Sequence, residues 1–218
     1  MLSARSRDRL EAVAETCAGS LVLPLDVTDT AAFALALEHV VSTWHGIDLV
    51  VFAAGTYEPM RAWELTNARA RQTFDANLLG IMAGVGVLVP QLLRQGNGAI
   101  AVVASVAGYR GLPKALVYGP TKAALINFAE TLYLDLAPKG ISVFVICPGF
   151  VATPLTAQND FKMPALITAE EAARHIRRGM ERGSFEIHFP KRFTLALKLL
   201  RILPYRVYFT LVRCVTGS

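Results

Sequence analysis

The sequence predicts an α/β protein built on one doubly wound parallel sheet, and three observations predict it. Short apolar runs alternate along the chain with helical segments of ten or more residues, the pattern of parallel strands joined by crossovers. The runs are near-continuous stretches of Val, Ile, Leu and Phe, as expected of strands buried on both faces. The residues able to do chemistry fall directly behind those runs, where open α/β sheets bind their ligands.

Residues 1–5 read as the end of a strand and 7–18 as a helix. A short apolar strand over 21–25 is closed by Asp26. Residues 30–44 carry apolar side chains at helical spacing, and 49–53 form the next strand. Residues 69–93 are helical, in two pieces around Asn77, and 99–104 are β-rich. A helix over 118–136 ends near Pro138 and Gly140, and the strand over 142–146 is cut by Cys147-Pro148-Gly149. A helix over 169–182 and a short strand over 186–189 follow. One rim of the sheet should therefore carry Arg5, Asp26, Ala54, Gly55, Ser105, Pro148 and Gly149. No repeat, low-complexity stretch or linker divides the chain, so residues 1–190 read as one domain, followed by a basic amphipathic tail over 191–218.

With 53% hydrophobic and 18% charged residues among 218, and a mean hydropathy of +0.41, the chain is not a disordered one. Cys17, Cys147 and Cys214 are scattered and form neither a disulfide framework nor a metal-ligand spacing, which suits a reducing cytoplasm. No basic-then-apolar signal segment opens the sequence. Residues 76–93 are apolar enough to be tested as a membrane span, but they carry Asn77, Pro90 and Gln91 and read as a buried core helix. His39, His45, His175 and His188 lack ligand spacing, so no metal is expected. The net charge of +5 is unevenly spread: residues 174–218 hold ten Lys/Arg against Glu181 and Glu186, whereas the rest hold twelve against fifteen acids. In the tail the cations alternate with Leu, Ile and Phe, which fits a lipid or protein surface rather than nucleic acid.

Tyr118 and Lys122 lie four apart at a helix start and share one face. A free phenol titrates near 10, and a neighbouring ammonium favours the phenolate. A hydroxyl such as Ser105, just past the preceding strand, could bond the oxygen of a carbonyl or alcohol whose proton Tyr118 transfers.

The order Ser105-Val-Ala-Gly108, Tyr118-Gly-Pro-Thr-Lys122, Pro148-Gly-Phe-Val-Ala-Thr153, with Asn77 in the helix before, resembles the short-chain dehydrogenase/reductase (SDR) family over nearly the whole chain. The resemblance implies a Rossmann-like fold and a catalytic set of Asn77, Ser105, Tyr118 and Lys122. In that set Tyr118 would be the general acid/base. Lys122 would hold the nicotinamide ribose and lower the tyrosine pKa, Ser105 would orient the substrate oxygen, and Asn77 would anchor a water in the proton relay. Asp26 and Val27 would contact adenine, and Ala53, Ala54 and Gly55 stand where the family has Asn-Ala-Gly. Pro148, Gly149, Val151 and Thr153 would line the nicotinamide. The strand ending at Arg5 carries no acid for a ribose 2′-hydroxyl, and Arg5, with Arg7 nearby, can pair with a 2′-phosphate. NADP is therefore expected ahead of NAD.

The family's first strand, glycine turn and first helix are missing from the sequence, so the chain reads as N-terminally truncated. In strand order 3-2-1-4-5-6 that strand is central, and its loss should leave backbone groups unpaired beside a groove, with dinucleotide binding weak or absent. Gly80, Gly84 and Gly86 match the glycine spacing but lie mid-helix and read as packing glycines. The expected activity is NADP-dependent interconversion of a secondary alcohol and a ketone. One alternative is a non-catalytic remnant whose tail meets a membrane or partner; an epimerase or dehydratase would ordinarily need a larger C-terminal substrate domain. Leu155, Phe161, Met163, Leu166 and Ile167 predict an apolar lining and a hydrophobic carbonyl substrate. A cytoplasmic homo-oligomer, or one peripheral to a membrane through its tail, is expected.

Overall fold

Parallel strands require crossovers that return the chain to the same end of the sheet, and the helical segments supply them. In the computed structural model, which describes residues 1–217, the elements are α1 (Arg7–Ala14), α2 (Thr30–Trp44), β1 (Leu49–Phe52), α3 (Asn67–Phe74), α4 (Gly80–Gln95), β2 (Gly98–Val103), α5 (Tyr118–Leu136), β3 (Ile141–Pro148), α6 (Ala169–Glu181), β4 (Glu186–Phe189), α7 (Lys191–Ile202) and α8 (Tyr205–Thr216). The strands form a four-stranded, all-parallel sheet in the order β1-β2-β3-β4, with Val102 opposite Val145 and Ile146 opposite Ile187. This is the doubly wound, Rossmann-like architecture expected. On one face Ile100, Val102, Val143 and Val145 pack against Ile81, Val85, Leu88 and Leu92 of α4 and Leu125 and Ala129 of α5. On the other, Ala101, Phe144 and Ile146 pack with Ala172, Ile176 and Met180 of α6.

Two expected strands do not form. Residues 1–5 and 21–25 are held together by backbone bonds from Leu2 to Leu21 (2.8 Å), Leu23 to Leu2 (3.1 Å) and Leu25 to Ala4 (3.0 Å), but make only one ladder bridge, Leu2 to Val22. The far side of Met1 and Ser3 faces β1 across an open groove of about 870 Å³ that also exposes Phe33, Leu49 and Val51. The groove lies where the expected order puts its central strand. Among the described residues β1 is an edge strand, with Leu49 and Val51 more than two-fifths exposed.

Helix α1 stops at Ala14 rather than 18. The Thr16 hydroxyl bonds the Val13 carbonyl and the Ser20 hydroxyl that of Cys17, giving the backbone a non-helical alternative, and Gly19 turns the chain at φ +76°. Helix α2 has the predicted bounds, with Asp29 accepting from the Ala32 N–H at its start and His45 in the left-handed conformation at its end. The run from Asn67 to Gln95 is long and apolar enough for a membrane span, yet its Ile81, Val85, Leu88 and Leu92 are the core facing the sheet. It breaks around Asn77 as expected, through a π-helical turn over Asp75–Leu79. Such a turn inserts one extra residue into a helix and re-aims the side chains on it. A Cβ at Gly80 would sit 2.6 Å from the Val27 carbonyl oxygen and one at Gly84 2.8 Å from the Phe52 ring, so both are packing glycines. Gly86 is not: a Cβ there would meet nothing within 4 Å.

The tail is helical and docked. Phe193 and Leu197 of α7 pack against the main core, and a Cβ at Gly149 would press on Phe193 at 2.9 Å. Ser218, the last residue of the predicted tail, lies outside the described residues.

Candidate active site

The carboxyl ends of β1, β2 and β3 deliver Ala53-Ala54-Gly55, Ser105 and Pro148-Gly149 to one rim. Helix α5 begins at Tyr118 itself, with Pro120 in its first turn where a missing N–H has no partner to lose. Tyr118 and Lys122 thus stand one turn apart, facing the sheet. The Ser105 side chain acts on the Tyr118 phenol, pulling its pKa down, and the Lys122 Nζ lies 5.6 Å from the centre of the tyrosine ring. Lys122 is buried and donates to the Val103 carbonyl at 2.8 Å, which leaves two of its three protons undirected within the protein. Asn77, fully buried on the π turn, bonds both backbone groups of Thr56: its Oδ1 accepts from Thr56 N at 2.6 Å and its Nδ2 donates to Thr56 O at 2.8 Å. Its Nδ2 also reaches Thr121 Oγ1 at 3.4 Å, and that hydroxyl bonds the Tyr118 carbonyl. A Cβ on Gly55 would lie 3.4 Å from Asn77 Oδ1 and 3.6 Å from Lys122 Nζ. The structure therefore brings Asn77 and Lys122 together beside Gly55, with the Tyr118 ring next to Lys122.

The electrostatics differ from the expectation in one respect. Burial pushes the Tyr118 phenol up to about 12, outweighing the hydrogen bond from Ser105 that pulls it down. Burial also pushes Lys122 down to about 8. The ammonium is close, but it does not lower the tyrosine; the predicted downward shift is replaced by an upward one because desolvation dominates both groups. Cys147, buried at the end of β3 with its thiol pushed up to about 12 by burial, is an inert core residue, as its position suggested.

Other predicted site residues behave less uniformly. The Asp26 carboxylate is held low by hydrogen bonds from the Thr28 N–H and hydroxyl, and Val27 packs its carbonyl against Gly80. Arg5 is exposed and forms no ion pair among the described residues, while Arg7 pairs with Glu11 within α1 at 3.4 Å. The Gly149 N–H is taken by the Phe189 carbonyl at 2.8 Å, so it offers no donor to a ligand. Val151 bridges to Ile167, and Thr153 Oγ1 lies 3.3 Å from Thr156 Oγ1, so these two brace the loop over 154–167.

Sequence reasoning missed what closes the site. Tyr57 stands edge-on to Tyr118 with ring centres 5.0 Å apart, and its hydroxyl donates to Asn159 Oδ1 at 3.2 Å. Lys114 forms an ion pair with Asp160 on the same loop. Tyr57 follows Gly55 by two residues on the rim, which was the available signal; the Lys114–Asp160 pair joins residues far apart in sequence and left none.

For a dinucleotide, the nicotinamide end fits: Gly55 offers a side-chain-free floor beside Lys122, and Ala53 and Ala54 are exposed on the rim. The pyrophosphate does not find its usual seat, since no glycine turn joins a strand to a helix start among the described residues.

The short chain dehydrogenase family model matches residues 1–163. The chain belongs to the short-chain dehydrogenase family. An uncharacterised oxidoreductase of Myxococcus xanthus is 35% identical over 189 residues, covering 86% of this chain and 75% of the relative. The 17-beta-hydroxysteroid dehydrogenase 13 of Rattus norvegicus is 29% identical, covering 85% of this chain and 63% of that protein, so the chain spans three quarters of one relative and under two thirds of the other. An alcohol dehydrogenase from the archaeon Thermococcus sibiricus, complexed with 5-hydroxy-NADP, superposes with a TM-score of 0.75 at 26% identity, covering 86% of this short-chain dehydrogenase and 83% of that chain. Membership makes the chain an oxidoreductase of a family that uses nicotinamide dinucleotides.

Proposed function

We propose that this short-chain dehydrogenase interconverts a hydrophobic secondary alcohol and its ketone with NADP, using Tyr118, Lys122, Ser105 and Asn77. The observation that carries the reading is the buried Lys122 ammonium, 5.6 Å from the centre of the Tyr118 ring and beside Gly55 on the rim. A nicotinamide dinucleotide seated there supplies the hydride. With its pKa near 12 the phenol stays protonated at neutral pH, so Tyr118 is set to donate its proton to a carbonyl oxygen held by Ser105. Lys122, charged below about pH 8, then stabilises the phenolate left behind. Asn77 holds the Thr56 backbone and the start of α5 in register, which fixes Gly55 and Tyr118 relative to each other.

Exposed Arg5, with no acid at its strand end, supports NADP over NAD. Exposed Phe161 and Leu166 on the loop over the site, with Phe161 edge-on to Phe150 at 5.7 Å, support an apolar substrate. We take residues 1–190 as the catalytic domain and self-association through exposed Leu79, Met82 and Leu134 as part of the same reading.

The test uses a chimera carrying a relative's strand, glycine turn and first helix ahead of Met1. Tyr118→Phe should abolish turnover of a hydrophobic ketone while NADPH still binds; turnover within about threefold of the parent would remove Tyr118 from the mechanism. Arg5→Asp should shift preference toward NADH by about tenfold or more, roughly 1.4 kcal/mol, and an unchanged cofactor ratio would sink the NADP assignment. The open groove beside β1 favours a second reading, a non-catalytic member, which a chimera that binds NADPH yet reduces nothing would support.

A further inference from the structure

Residues 187–218 contain six Lys/Arg and no Asp or Glu. Lys198 pairs with Glu186, and Lys191 contacts the His188 ring; Arg192, Arg201, Arg206 and Arg213 form no ion pair among the described residues. The same stretch exposes large apolar side chains. On α7 they form one stripe, Leu195, Leu199 and Ile202, spaced four and three apart on a single helical face. On α8 they are Tyr205, Val207, Phe209, Leu211 and Val215, and Tyr208 is the one side chain of that helix that is buried. Ile202 and Val215 are 76% and 85% exposed, more than a packed face allows.

This surface is presented rather than loose. Arg110 of the body donates to the carbonyls of Leu200 (2.6 Å), Arg201 (3.0 Å) and Leu203 (2.8 Å), satisfying the C-terminal end of α7. Its guanidinium stacks 4.0 Å from the Tyr208 ring centre and 4.9 Å from that of Tyr205, and the Tyr208 hydroxyl donates to the Gly111 carbonyl. The inward side of α7 is already occupied by buried Thr194 and core-packed Leu197. The outward apolar stripe is therefore surplus to the fold.

We infer that α7 and α8 form a docking surface for an anionic lipid bilayer. Apolar side chains flanked by cations, with no acid among them, match an acyl boundary under negative headgroups. Charge selects this occupant over a second copy of the chain, because pairing two such surfaces would bring together two sets of arginines with no carboxylate to answer them. The outward stripe contains none of the proposed site residues, so the inference stands apart from the proposed reaction.

The full chain should co-sediment with vesicles of phosphatidylcholine mixed with phosphatidylglycerol, about tenfold or more tighter than with phosphatidylcholine alone, and release as salt rises from roughly 0.1 to 1 M. Leu199→Asp with Ile202→Asp should remove binding, and Arg206→Gln with Arg213→Gln should weaken it about tenfold. Should those variants fold poorly, the native surface can be read directly: with Cys17→Ser, an environment-sensitive dye on exposed Cys214 should shift to the blue on adding the anionic vesicles. A chain that stays in the supernatant without a dye shift overturns the inference. So does equal, salt-insensitive binding to neutral vesicles, or a dimer that Leu199→Asp and Ile202→Asp dissociate while vesicles bind nothing.

Discussion

The two ends of this molecule contain similar apolar strand sequences and fold differently. ISVFVI in β3 lies between two neighbours, pairs along its full length with β2, and is buried on both faces. LVLPL over 21–25 makes one bridge to Leu2, and the pair stands across a groove from β1. Pro24 has no N–H to give a ladder and lowers the strand propensity of the second segment, which also lacks a long, in-register partner. A strand is a property of its neighbours as much as of its residues.

The largest expected effect of that difference is in hydrogen exchange. Amides of Val102, Val143 and Val145 should be protected about 10⁴-fold or more beyond those of Leu2, Leu23 and Leu25, which open without unfolding the body. Comparable protection at both ends would erase the contrast. The same substitution should then read out differently by position. Leu88→Ala, in a fully buried site on α4, should cost about 3 kcal/mol in urea unfolding, whereas Leu49→Ala on the exposed edge of β1 should cost under about 1 kcal/mol.

Inside the well-packed region lies a group that weakens it. Lys122 has its folded pKa lowered to about 8 from 10.5, so the unfolded chain binds more protons between those values and stability rises with pH across that window. Lys122→Met should therefore stabilise the fold by about 1–3 kcal/mol at pH 7, a gain that shrinks between pH 8 and 10.5, while removing activity. Destabilisation by that substitution at pH 7 would show that the ammonium supports the core rather than straining it. The smallest effect concerns the loop over the site. Lys114 holds the Asp160 carboxyl below the usual carboxylate range, so the contact is made above the normal Asp pKa and is lost as pH falls through the lowered value. Asp160→Asn should speed hydrogen exchange over 154–167 and leave the global unfolding midpoint unchanged. A shifted midpoint would place that loop in the cooperative core.

Residue types and spacing were enough to mark the helices at Thr30–Trp44 and Tyr118–Leu136, the last strand, and the break around Asn77, because capping residues and apolar periodicity are local signals. They also pointed to Ser105 behind a strand end and to Tyr118 at a helix start, because both positions are readable from local pattern. Residues 7–18 were over-read because the hydroxyls of Thr16 and Ser20 compete with the helix at a range that periodicity does not register. Tyr57 and the Lys114–Asp160 latch were invisible for a different reason: their partners lie far along the chain and meet only after the sheet has formed.

The sequence by itself determined the parallel sheet and the alternation of β1 to β4 with helices, because these follow from nearest-neighbour chemistry and the period of apolar positions. The tertiary structure decided which strands exist, since a ladder needs a partner whose backbone groups pair in register over several residues. It also decided the direction of both pKa shifts at the site: Tyr118 rises and Lys122 falls because burial, which depends on everything packed around them, outweighs the attraction that their spacing alone suggests.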